Sequence, residues 1–131
     1  MAFIVYIKST MPIAYTIDQE LQTVFTRVWG CVIGDDMFDQ QESLKKNPLF
    51  DPHMKELISC LDQENTDMDT VDKMFVVANS PWGQYAKRAI VANTTLTVGL
   101  SRMFQIHMTG EHGEIEVFSS IPDARRWLGL Y

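Results

Sequence analysis

The sequence predicts an α/β domain whose sheet is mostly parallel and begins with an antiparallel hairpin. Three observations carry this. Short runs rich in β-branched and aromatic residues alternate apolar and polar positions, the period of a half-buried strand. The stretches between them place apolar residues at helical spacing behind acidic or hydroxyl starts. From "LQTVFTRVWGCVI" onward the two kinds of segment alternate, giving the order ββαβαβαβα. A strand–helix–strand repeat builds its sheet from parallel neighbours with right-handed crossovers.

"AFIVYI", residues 2–7, has high β propensity and is expected as an additional edge strand. Pro12 ends it, because proline has no N–H to give to a ladder. Met11 is an alternative translation start, so residues 1–10 read as an N-terminal extension and residues 11–131 as the domain. "IAYTID" and "LQTVFTRVWGCVI" form a hairpin around a tight polar link at Asp18 to Glu20. In the second strand Leu21, Thr23, Phe25, Arg27 and Trp29 alternate with Val24 and Val28. Asp35 and Asp36 then start a helix whose face carries Met37, Phe38, Gln41 and Leu44, with Lys45 and Lys46 at its negative end. "NPLFDP" stops it, since each proline forces its predecessor into extended backbone.

"KELISCLD" is the next strand. The helix after it is expected to start at Thr66 or Asp67 and to bury a stripe of Val71, Met74, Phe75 and Ala78. "PWGQY" is a loop, "KRAIVAN" a strand, and Thr94 to His107 a helix. "EIEVFSS" forms the final strand. Ser120, Pro122 and Asp123 open a short last helix, with Trp127 packed on the sheet.

The totals narrow the function. A chain of 131 residues with 46% hydrophobic and 21% charged residues fits one globular domain with a real core. Its formal charge of −6 argues against nucleic acid and against anionic membrane surfaces, both of which need a basic footprint. No run approaches the length of a membrane span, and no signal-peptide pattern opens the chain, so a cytoplasmic location is expected. Cys31 and Cys60 read as two buried thiols of a reducing compartment.

Several residues are candidate sites. Asn93, Thr94 and Thr95 lie where a strand's carboxyl end meets a helix N-terminus, a place that favours ligands in α/β proteins. No glycine-rich cradle accompanies them, so a helix cap is the simpler role. Gly99 inside the following helix calls for a compensating close approach to the sheet, and Arg102 beside it is a candidate ligand contact. Trp82, on a Pro/Gly loop, is either a cover of the core or a lid over an apolar cavity reaching Met103 and Phe104. His107, Glu111, His112 and Glu114 lack metal-ligand spacing, and no nucleophile elbow exists. No catalytic residue, metal or cofactor is therefore assigned.

"YTID", "NPLFDPHMKEL", "KRAIVANTTLTVGLSRMF" and "EVFSSIPDARRWLG" occur in that order and resemble the bacterial SpoIIAA-like family. These proteins are relatives of the STAS domain and, distantly, of the SEC14/CRAL-TRIO fold. The resemblance spans about residues 13–129 and implies a (βα)n superhelix, a mixed sheet with helices mainly on one face. In STAS antagonists a serine at the helix start after the third core strand is phosphorylated. Thr66 is the only hydroxyl near that place here, and the aspartate-serine-serine-glycine signature is missing. Thr66 therefore reads first as a cap.

A helix-free sheet face needs cover, from the N-terminal segment, from a helix or from a partner chain. The resemblance thus leads to the expectation of a homodimer to which residues 2–7 contribute. The first functional reading is a non-enzymatic regulatory or protein-interaction module. The alternative is a carrier or sensor of an apolar small molecule in a SEC14-like cavity. An enzyme comes last.

Overall fold

The computed structural model describes residues 5–10 and 12–130. Strands β1 (Val5–Thr10), β2 (Ile13–Asp18) and β3 (Thr23–Ile33) are followed by helix α1 (Gly34–Lys46). Strand β4 (Lys55–Asp67), helix α2 (Thr70–Ala78), strand β5 (Lys87–Val91), helix α3 (Thr95–Met108), strand β6 (Glu114–Phe118) and helix α4 (Ile121–Leu128) complete the chain. The six strands form one sheet in sequence order. β1, β2 and β3 pair antiparallel, while β3 to β6 are parallel. The added N-terminal strand lies at the edge, on residues 5–10; residues 2–4 of the expected strand lie outside the described residues.

This order explains where the helices go. Each parallel strand is added on the same side of the last, so crossovers of one hand place α1, α2 and α3 on one face. That face carries Val24, Val28, Ile58, Cys60, Ile90 and Ile115, buried beneath the three helices and the loops that join them. The opposite face carries Leu57, Ala89 and Val91, covered by α4 through Ala124 and Leu128. Trp127 sits there against Phe118, ring centroids 5.6 Å apart.

Local chemistry sets the boundaries. α1 starts behind a backbone bond from Ile33 to the Asp36 carboxylate, 2.8 Å, and ends at Asn47 before Pro48. Ser120 caps α4, which ends at Gly129 with φ 76°, a left-handed conformation that favours glycine. Thr10 faces Ile13 in the β1–β2 ladder.

The structure corrects four sequence expectations. β4 runs on to Asp67, so Thr66 lies in a strand opposite Val32, and α2 is capped by Asp69. The stripe assigned to the core of α2 faces outward: Val71, Met74 and Phe75 are 72%, 66% and 50% exposed, Ala78 is exposed too, and only Val76 is buried. Val71, Met74, Phe75 and Ala78 share a face wherever the helix starts, and the helix turns the face of Val76 inward instead. Gly99 has open space around it rather than a close approach to the sheet. Cys31 is exposed and Cys60 buried, and they form no disulfide.

Candidate functional site

An apolar cavity of about 160 Å³ opens between α2 and α3. Its origin lies in the sheet. β4 pairs with β5 only from Glu56 to Ser59, then continues beside β3 alone to Asp67 with two register shifts that insert extra residues into β4. Such bulges bend and twist the strand that carries them. Beyond β5 the sheet is thus a two-stranded ribbon of β3 and β4.

The second cause is the attachment of α2. Gln41 Nε2 donates to the Val76 carbonyl at 2.8 Å, and the Phe38 and Phe75 rings meet edge-on at 4.7 Å. The Asp72 carboxylate lies against Gly34 at the first turn of α1, where a β-carbon would fall 2.8 Å from it. There it complements the positive end of that helix. All three ties pull α2 onto α1 and leave its other flank open toward α3.

Val28, Val32, Ile58, Cys60 and Ile90 line the cavity from the sheet. Met37, Met68, Val76 and Val77 line it on the α1–α2 side, and Leu100, Met103 and Phe104 on the α3 side. Its polar members are Gln63, Thr66, Lys73, Ser101 and His107, and no carboxylate is among the described lining residues. Burial, and secondarily the charge of Glu56, pushes the Cys60 thiol up to about 12, so the wall stays uncharged there at neutral pH. Ser101 Oγ donates to the Thr97 carbonyl at 2.7 Å, which satisfies it within its own helix.

Phe104 is held from behind. The Arg88 guanidinium lies 5.4 Å from the Phe104 ring centroid and 4.8 Å from that of Trp82. Arg88 Nε donates to Glu56 Oε1 at 2.9 Å, and Glu56 Oε2 accepts from Thr26 at 2.8 Å. Burial pulls the Arg88 guanidinium below its ordinary value, opposed by the Glu56 charge.

Of the residues singled out from sequence, Met103, Phe104 and Thr66 line this cavity. Trp82 does not. Its side chain is 4% exposed, packed edge-on against Phe50 with 5.0 Å between centroids, so the lid role fails and the core-cover role holds. The loop is pinned by Gly83, whose N–H donates to the Pro52 carbonyl at 2.9 Å beneath the His53 ring. Thr94 caps α3 by accepting from the Thr97 N–H at 3.1 Å, and Thr95 opens the helix. Arg102 is exposed and reaches Gln105 at 3.4 Å. Among the described residues no three His, Cys, Asp or Glu side chains come together as a metal site.

Sequence reasoning missed Lys73 and weighed His107 only as part of a metal cluster that lacks ligand spacing. Both are lone basic residues on helices, and only the gap between α2 and α3 gives them a common setting. No described helix is long and apolar enough to cross a membrane.

No protein-family model matches the sequence, and no curated protein does. Among solved structures, the chain is similar to an uncharacterized protein of the DUF3478 family from Shewanella loihica PV-4, described as having a SpoIIAA-like fold. The two share 15% identity over 97% of this chain and 94% of the other, with a TM-score of 0.57. A mixed sheet in sequence order, three of the four helices on one face and this similarity together establish that the chain has a SpoIIAA-like fold.

Proposed function

We propose that the protein binds an apolar small molecule in the cavity between α2 and α3, as a carrier or sensor. One observation supports this above all: an opening of about 160 Å³ whose walls are almost wholly apolar. A cavity of roughly 150 Å³ lined by aliphatic and aromatic side chains stays dry and takes up benzene. Met37, Met68 and Met103 add unbranched, polarizable side chains that adapt to a guest. Native mass spectrometry of the purified chain tests the reading, together with a benzene titration followed by amide NMR. The expected result is added mass that disappears on denaturation, or saturable shifts confined to residues around Val28, Val76 and Ser101. Absence of both rejects it.

A second reading, a non-enzymatic interaction module, rests on a different feature. β1 is the terminal strand, and among the described residues its outer edge pairs with nothing. Free edges seek pairing. In this reading two copies join through β1 as a homodimer, and deletion of residues 1–10 shifts the mass in light scattering from dimer to monomer. An unchanged mass rejects the dimer.

A further inference from the structure

We infer that the ligand of the α2–α3 cavity is an amphiphile with a single negative charge, a medium-chain monocarboxylate. This rests on the cavity reading and adds the head group to it.

Three polar side chains on the lining, the partly buried Lys73 and Thr66 and the exposed His107, have donors to which no described protein group offers an acceptor. Lys73 Nζ has no ion-pair or hydrogen-bond partner among the described residues. Of the carboxylates nearest in sequence, Asp69 accepts from the Asp72 N–H at 2.7 Å and Asp72 lies against Gly34 of α1, and neither forms an ion pair with Lys73. His107 is likewise unpaired, and an imidazole offers an N–H in either tautomer. Thr66 Oγ1 accepts from Gln63 Nε2 at 2.8 Å, which leaves its hydroxyl hydrogen to give. A lining of apolar walls with unmatched donors and no described carboxylate complements an apolar tail ending in an acceptor.

The charge balance selects which acceptor. One free ammonium matches a monoanion. A phosphate dianion or a polyanion would sit underneutralised on a chain with a formal charge of −6. A neutral alcohol would leave the ammonium unmatched. The volume of about 160 Å³ suits a chain of about six to eight carbons, given that ~150 Å³ accommodates a six-carbon ring.

Calorimetric titration of the full chain with octanoate and with 1-octanol tests this without relying on any variant. Octanoate is expected to bind about tenfold to a hundredfold tighter, the worth of one charge-assisted hydrogen bond. Lys73→Gln is expected to remove most of that preference, and His107→Gln part of it, while octanol affinity stays within about twofold. Equal binding of both probes, or a preference indifferent to Lys73→Gln, overturns the head-group inference and leaves the cavity reading intact. If neither probe binds but benzene does, the carboxylate inference falls alone. If benzene fails as well, both fall together.

Discussion

Glu56 and Arg88 meet at 2.9 Å beneath the helices, each with only 4% of its side chain exposed. They stand on neighbouring parallel strands in direct register. Arg88 also donates to the His112 carbonyl at 3.1 Å, tying the sheet to the turn after α3. The pair is thus the point where the sheet, the Trp82 loop and the cavity wall at Phe104 are joined.

Breaking this pair on one side strands a buried charge. Glu56→Gln is expected to destabilise by about 3–5 kcal/mol in urea unfolding, because the guanidinium keeps its charge and loses its counter-ion. Replacing both residues with methionine is expected to cost much less than the two single changes added together. An additive double variant would reject this account.

The two cysteines should differ in chemistry. Cys31 is exposed and is expected to react with a disulfide reagent in the native protein, whereas Cys60 reacts only on unfolding. The folded state raises the Cys60 thiol from 9.0 to about 12, so the native form holds this proton more tightly. The stability this gives is complete below pH 9.0 and is lost as pH climbs toward about 12. Cys60→Ala is expected to lack that portion of the alkaline decline seen in wild type.

Gly99 lies in the interior of α3 with no atom within 4 Å of where a β-carbon would sit. Gly99→Ala is therefore expected to stabilise by about 1 kcal/mol, since alanine forms helix better and meets no obstacle. A lowered melting temperature would reveal a function for the glycine that its surroundings do not explain.

Adjacent glutamines on α1 should respond in opposite directions. Gln40 is buried with neither amide atom hydrogen-bonded among the described residues, whereas Gln41 ties α1 to the Val76 carbonyl. Gln40→Leu is expected to gain about 1–3 kcal/mol from removing an unmatched amide. Gln41→Leu is expected to lose about 1 kcal/mol and loosen α2, read as faster amide exchange there.

The sequence by itself determined the alternation of strands and helices, and with it the parallel sheet. It also determined local features such as the Thr94 and Ser120 caps, because each depends on residues within one turn of each other. The helix start at Thr70 was not legible in this way. Asp69 competes with Thr66 and Asp67 as a cap, and what decides is how far β4 continues beside β3, a pairing between residues some thirty positions apart. Nor was it legible that α2 packs through Val76 and leaves Val71, Met74 and Phe75 outward, because that is set by contacts with α1. The cavity belongs to tertiary structure altogether. It exists because β4 outruns β5 and α2 is fastened to α1, neither of which leaves a periodic signal. Its apolar walls consequently look like ordinary core in the sequence. Lys73 and His107 look like ordinary surface, and only the gap between α2 and α3 makes them part of one site.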